Sequence, residues 1–266
     1  MSDTNVSIKL KLPKASYIGN PHLYLDSIDS TNNYAMNLLS KCKPIEGTAI
    51  TAGFQSVGRG QIGRTWWGDA FKNLYTSIIL SPRHIKSAEQ WTINQAISLS
   101  IAECLESWIK LPVSIKWPND IYIRDKKVCG ILIQCVLSGK TIQHAVVGIG
   151  LNINQESFPN TIPNPTSLYM ESGKKLPIIG IRNSLYAFIE KWYESTMTPN
   201  AGALQSKYLS RLYRRGESNA FMKGGSMIYG EINGVDKIGR LILSINGKEE
   251  IFNFNEVKMI INKQIL

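Results

Sequence analysis

Residues 113–136 read Val-Ser-Ile-Lys-Trp-Pro-Asn-Asp-Ile-Tyr-Ile-Arg-Asp-Lys-Lys-Val-Cys-Gly-Ile-Leu-Ile-Gln-Cys-Val. Val113 to Trp117 is a short β-branched run halted by Pro118, because the residue before a proline favours extended backbone. Ile121–Ile123 and Val128–Val136 follow as two strands joined through the polar Arg124–Lys127 turn, so the stretch predicts consecutive antiparallel strands. It also carries a cation, an amide and a carboxylate (Lys116, Asn119, Asp120) around a proline-fixed strand end. Such a set suits a nucleotide site, with Lys116 facing phosphates and Asp120 facing a magnesium ion. It equally suits a charged turn with Trp117 in the core. Lys127, at a strand start three residues before Gly130, is the candidate electrostatic catalyst, and Gly130 would let a ligand lie against the strand.

Upstream, Asp29-Ser30-Thr31-Asn32 precedes Tyr34, Leu38 and Leu39 at helical spacing, which makes Ser30 or Thr31 an N-cap. Residues from Ile50 and from Asn73 to Leu80 read as strands flanking Gln55-Ser-Val-Gly-Arg-Gly-Gln-Ile-Gly-Arg-Thr-Trp-Trp67. Gly58, Gly60 and Gly63 there alternate with Arg59 and Arg64. Such a loop brings amides and guanidinium groups onto an anion, with apolar surface from the tryptophans beside them; a plain basic surface loop is the alternative. Ser87-Ala-Glu-Gln90 has the form of a capping box. It precedes Ile93, Ile97, Ile101, Leu105 and Trp108, an amphipathic helical pattern.

Downstream, Gln143 to Asn152 forms another strand ending in Gly148-Ile-Gly150-Leu-Asn152, where Asn152 could read an adenine or ribose edge. Ile181, Leu185, Ile189 and Trp192 mark a second helix, and Leu204 to Tyr213 a third. From about Gly216 short β runs dominate: Met227–Ile232, Arg240–Ile245, Glu249–Phe254 and Val257–Ile261, with a hairpin signal at Asn246-Gly247. The fold class is therefore α+β, a mixed and mostly antiparallel sheet with packed helices, followed by a small all-β unit.

The 266 residues carry a net charge of +10, 43% hydrophobic and 19% charged residues, enough for one large core with a small appended domain. The charge is spread along the chain and suits an acidic partner, whether nucleotide, nucleic acid or protein. The polar start, with Lys9, Lys11 and Lys14, lacks the apolar block of a signal peptide, and no apolar run is long enough for a bilayer, so the expectation is a cytoplasmic protein with no membrane partner. Cys42, Cys104, Cys129 and Cys135 form no Cys-x-x-Cys pair, and His22, His84 and His144 lie far apart. A zinc site or disulfide framework is thereby disfavoured.

The pieces occur in one order: a Ser-Thr-Asn helix start, a Gly-Arg-Gly loop, Lys-Trp-Pro-Asn-Asp, a Lys-x-x-Gly strand, a Gly-x-Gly-x-Asn strand and a β tail. In that order the chain resembles the biotin–protein ligases from about Leu25 to Ile261, and Gly234–Gly239 looks like a turn of their C-terminal barrel. The resemblance implies a class II synthetase-like catalytic domain over residues 1–215 and an SH3-like β-barrel over 216–266. It implies that biotin and ATP give biotinyl-5′-AMP with Mg²⁺, and that a lysine of a biotin carboxyl carrier domain then takes the biotin. Ser30, Thr31, Asn32, Gln55, Gly58, Arg59, Gly60, Gln61, Lys127, Gly130 and Leu132 would contact biotin. Arg59, Arg64, Trp66, Lys116, Asn119, Asp120 and Asn152 would hold ATP, with Asp120 on the metal. Catalysis would fall to Lys127, Arg59 and Lys116.

Two departures accompany the resemblance. Gln61 stands where many relatives carry arginine, removing a full charge from the loop. Bifunctional relatives carry a DNA-binding helix-turn-helix ahead of the core, and only some two dozen residues precede it here. The expectation is a monofunctional ligase without DNA as partner, compatible with a homodimer. Lipoate or octanoate ligation on the same fold, and a basic nucleic-acid-binding module, are the alternatives.

Overall fold

The strands Ala49–Gln55 (β2), Leu74–Leu80 (β3) and Thr141–Leu151 (β7) are built from β-branched and small residues buried on both faces. They form the middle of a seven-stranded sheet in a computed structural model that describes residues 17–61, 63–198 and 201–261. The remaining strands are His22–Ile28 (β1), Val113–Lys116 (β4), Asp120–Ile123 (β5) and Lys126–Ser138 (β6), in the order β1-β2-β3-β7-β6-β5-β4. β1 pairs with β2 in parallel, and every other neighbouring pair is antiparallel. The expected mixed, mostly antiparallel α+β sheet is thus what the chain forms. The lysine-rich start with Lys9, Lys11 and Lys14 lies outside the described residues.

Period-2 alternation divides the sheet into two faces. Ile78, Leu80, Val147 and Ile149 lie in the main core together with Trp91–Ile109 (α2) and Ile178–Ser195 (α4). Ile50, Ile79 and Val146 point the other way and meet Ala35 of Thr31–Lys41 (α1) in a small separate cluster. α1 is short and covers only one end of its face. Further along that face the side chains shrink to Ser77, Gly148, Gly150 and Gly130, and this uncovered end is where the site forms.

Several local expectations need correction. Ser87 does not cap α2. Residues Ser87–Glu89 form one 3₁₀ turn, and the Ser87 N–H donates to Lys140 O, because the adjacent Lys86 bridges Thr141 at the start of β7. The third helix, Ala201–Ser210 (α5), stops before Tyr213. Leu212 instead bridges Ile115 along the outer edge of β4, with Ile115 N–H donating to Arg211 O and Tyr213 N–H to Ile115 O. β6 begins at Lys126, two residues before the expected Val128.

The C-terminal part forms a second, five-stranded antiparallel sheet from Ser218–Lys223 (β8), Ser226–Val235 (β9), Leu241–Ile245 (β10), Lys248–Phe252 (β11) and Val257–Met259 (β12). Its order is β11-β10-β9-β8-β12, a ladder that does not close between its two ends. It is fastened to the first sheet through aromatic packing. The Trp117 indole N–H donates to Gly239 O at 2.8 Å, and Phe254 packs against both Trp117 and Trp91. Gly239 has φ +96°, and a Cβ there would lie 2.6 Å from the Trp91 ring. Among the described residues no helix is long and apolar enough to cross a membrane.

Candidate functional site

The N-terminus of α1 supplies the first wall. Ser30 is the N-cap, its hydroxyl accepting from the backbone N–H of Asn32 and Asn33, so of the two expected capping residues it is Ser30 that serves. Gln55, at the end of β2, accepts from the Thr31 N–H at 2.8 Å and from its hydroxyl at 3.1 Å. Ser77 Oγ donates to Thr31 Oγ1 at 2.9 Å. Thr31 is therefore oriented from two strands. Asn32 is almost fully buried, yet neither its amide nitrogen nor its oxygen has a partner among the described residues. A buried, unpaired amide beside an opening has a donor and an acceptor left for an incoming group.

The second wall comes from a bulge. Asp120 pairs with Gly130 and Ile121 with Cys129, but Tyr122 pairs with Lys127, so Val128 is an extra residue on β6. In a regular strand, residues three apart point to opposite faces. The bulge reverses that and brings Lys127 onto the same face as Gly130 and Asp120. Lys127 Nζ then lies 2.6 Å from Asp120 Oδ1. The backbone of Lys127 is clamped by Asn164 and Thr166, its N–H donating to Asn164 O and its carbonyl accepting from Thr166 N–H. Asn119 is braced in turn, with its amide donating to Ile131 O at 2.6 Å.

The third wall is the glycine–arginine segment. Arg59 bridges Thr65, the Gly60 N–H donates to Arg64 O, and the Trp66 N–H donates to Gly58 O, so the two arms form a narrow ladder. Its far end is anchored by Gln155, fully buried, which accepts from Asp69 N–H and from the Asn73 amide and donates to the Asp69 carboxylate. Among the described residues Arg59 and Arg64 have no carboxylate partner within ion-pair distance.

These walls enclose one cavity, lined by Ser30, Thr31, Asn32, Gln55, Arg59, Gly60, Gln61, Arg64, Trp66, Asn119, Asp120, Lys127, Gly130 and Leu132 among the expected residues. Thr65, Ile131, Gly148, Ile149 and Gly150 also line it. Thr65 was missed because a lone threonine in a basic loop carries no signal. Three expected residues stand behind the wall. Gly58 has Trp66 O pressed against it, at 2.4 Å from where a Cβ would sit. Asn152 is buried and its amide donates to Thr166 O, fastening β7 to the 164–168 segment. Lys116 has its ammonium 5.7 Å from the centre of the Tyr122 ring; burial pushes the ammonium down, Asp120 opposes that, and Lys127, Arg64 and Lys258 reinforce it. Trp117 is in the core, as the charged-turn reading of its pentapeptide required.

Three cations and one carboxylate thus face a cavity that also holds an unpaired amide. Such an arrangement can draw two anionic groups together while reading a polar head at one end. Asp120 already engages Lys127, and among the described residues no three His, Cys, Asp or Glu side chains cluster as a metal site. The donors fit a divalent ion that arrives with phosphate oxygens and takes one protein carboxylate, not an ion caged by protein alone.

Comparison with known proteins agrees with this geometry. Residues 24–152 match the model of the biotin/lipoate A/B protein ligase family. The chain is 30% identical over 234 residues to the bifunctional ligase/repressor BirA of Bacillus spizizenii, covering 86% of this chain and 71% of the relative. It is 30% identical to the biotin–[acetyl-CoA-carboxylase] ligase of Paracoccus denitrificans, covering 81% of this chain and 90% of that protein. The structure of Aquifex aeolicus biotin protein ligase in complex with biotin and ATP superposes with a TM-score of 0.76 at 27% identity, over 90% of this chain and 98% of that one. Identity at this level over most of both chains has one reading: the chain belongs to the biotin/lipoate A/B protein ligase family, among its biotin–protein ligases.

Proposed function

We propose that the protein activates biotin with ATP to biotinyl-5′-AMP and transfers the biotin to a specific lysine of a biotin carrier domain, such as that of acetyl-CoA carboxylase. The observation that carries this reading is the placement of Arg59, Arg64 and Lys127 around one cavity that also contains the Ser30–Asn32 helix start. Joining a carboxylate to the α-phosphate of ATP requires two anions to meet, and preorganised cations lower the cost of that encounter. Lys127 would offset the biotin carboxylate, and Arg59 and Arg64 the phosphate oxygens. Asn32 and Thr31 would hold the ring head, and Trp66 would shield the mixed anhydride from water.

Magnesium belongs to the same reading: bound with ATP, it would neutralise phosphate charge, with Asp120 as its protein carboxylate. The reading makes the enzyme cytoplasmic, with an acidic carrier domain as partner and without DNA, and is compatible with a homodimer. The relatives named for biotin ligation favour biotin over lipoate or octanoate. Purified protein with magnesium is expected to catalyse biotin-dependent ATP–pyrophosphate exchange and to add one biotin to a carrier lysine. Absence of both would sink the proposal, and exchange driven by lipoate or octanoate instead would redirect it.

A further inference from the structure

Gly130 and Gly150 sit directly opposite one another on β6 and β7, 20 residues apart in sequence and adjacent in the sheet. Neither has a side chain, so together they leave a bare patch in the floor of the cavity. The indole of Trp66 lies on it. A Cβ built on Gly150 would fall 2.4 Å from Trp66 Cε2, and one on Gly130 would fall 2.6 Å from Trp66 Cζ3. No real Cβ approaches a ring atom so closely, so the space that two side chains would fill is taken by one indole. The indole of Trp66 thus packs on Gly130, which also lines the cavity.

Trp66 is tied to the arginines by its backbone. Its N–H donates to Gly58 O, and the neighbouring Arg59–Thr65 bridge and Gly60 N–H to Arg64 O bond continue the same ladder. Wherever the indole sits, Arg59 and Arg64 are carried with it. The Trp66 Nε1–H is buried and has no acceptor among the described residues, so no hydrogen bond fixes the ring and a donor is left for an incoming group. Lys127 Nζ stands 5.4 Å from the ring centre, which places the indole between the two glycines and the lysine end of the cavity.

We propose that Gly130 and Gly150 are positioning residues that act through Trp66: the paired glycines form a seat for the indole, and the seated indole sets where Arg59 and Arg64 stand over the cavity. The inference rests on the adenylate-forming reading above. It assigns the retention of the activated acid to a contact within the protein, made by residues that need not touch the ligand.

The test is a double-mutant cycle on the full chain, following how fast biotinyl-adenylate formed in the site escapes into solvent, with melting curves to verify folding. Gly150→Ala and Trp66→Ala are each expected to speed escape about tenfold or more, the scale of overpacking or emptying a fitted contact. In the Trp66→Ala background, adding Gly150→Ala should change escape by less than about twofold, because the new methyl then has no ring to strike. If Gly150→Ala speeds escape equally in both backgrounds, the glycine touches the ligand directly and the seat is overturned. Gly130→Ala gives the same cycle should Gly150→Ala fail to fold. A wild-type protein that makes no adenylate overturns the activation reading itself, whereas one that makes and retains it while the variants are additive overturns the seat alone.

Discussion

Lys127 Nζ and Asp120 Oδ1 meet at 2.6 Å across the bulged junction of β5 and β6. The carboxylate holds the lysine stem in place at the cavity until another anion competes for it. Lys127→Ala is expected to slow biotin-dependent pyrophosphate exchange about 10²–10³-fold, the usual scale for one preorganised electrostatic group. A rate near that of the wild type would show that another cation does this work.

Asp120→Asn removes the competing charge and the one acidic group that lines the cavity among the described residues. The expected result is a higher magnesium concentration for half-maximal exchange, with the affinity for biotin alone, measured by calorimetry, changed less than about threefold. An equal loss in both measurements would place Asp120 on the acid side and away from the metal.

Arg59 lies on the narrow ladder and lines the cavity, without a carboxylate partner among the described residues. Arg59→Gly is expected to loosen the hold on the intermediate, seen as faster appearance of free adenylate in solution. Unchanged retention would remove Arg59 from that role and leave Arg64 as the cation to test. Gln61 is the neighbouring position to restore: Gln61→Arg should slow the same release, since a charged donor holds phosphate more strongly than a neutral one.

The join between the sheets makes a stability prediction. Gly239→Ala places a side chain at φ +96° and against Trp91, which should cost about 2–5 kcal/mol in denaturant unfolding from backbone strain and overpacking together. Trp117→Phe keeps an aromatic group but is smaller and loses the hydrogen bond to Gly239 O, for about 1–3 kcal/mol. A silent Gly239→Ala would mean that the C-terminal sheet moves aside freely.

Burial pushes the imidazoles of His22, His84 and His144 below 6.5. Arg182 adds to this at His22 and Arg83 at His144, while Glu46 opposes it at His84 and His144. The unfolded chain therefore takes up protons more readily than the folded one. Stability is full above about pH 6.5 and declines as the pH falls through that value. The carboxylates of Asp29, Asp125 and Asp236, held below their usual range by hydrogen bonds, lose their contribution only at more acid pH. Melting temperature should fall between about pH 7.5 and pH 5.5, and replacing all three histidines by glutamine should flatten that window. A melting temperature that rises on acidification would reverse the sign.

Much of the site was legible because its chemistry is carried by residue types whose local geometry is self-contained. Ser30 announces a helix start, Lys127 a strand start, and the glycine–arginine segment a backbone able to bend around an anion. The strands and helices that alternate cleanly, such as those containing Ile78 and Ile97, were legible for the same reason. β1 was not, since its mostly exposed side chains give no alternation and its parallel pairing with β2 is a long-range matter. α5 ended early because β4 had an open edge that Leu212 could join. The partnership of Gly130, Gly150 and Trp66 depends on the register between β6 and β7 and on a loop reaching across them, and no spacing in the chain encodes it. Asn152 ends a strand at the expected end of the sheet, and its amide N–H serves a neighbouring loop, a contact no spacing in the chain encodes.

The extra residue at Val128 also decides where this chain can drift in length. Between Arg124 and Asp125 the β5–β6 turn can grow, since both strands keep their phase on either side. Between Lys127 and Gly130 it cannot. Losing the bulge with the residue count kept, or adding a residue there with the one-residue bulge kept, would leave a sound core while rotating the lysine to the back of the sheet, away from Asp120. The enzyme would be lost without the fold being lost, so in this stretch it is the match between bulge and residue count that separates a folded protein from a working one.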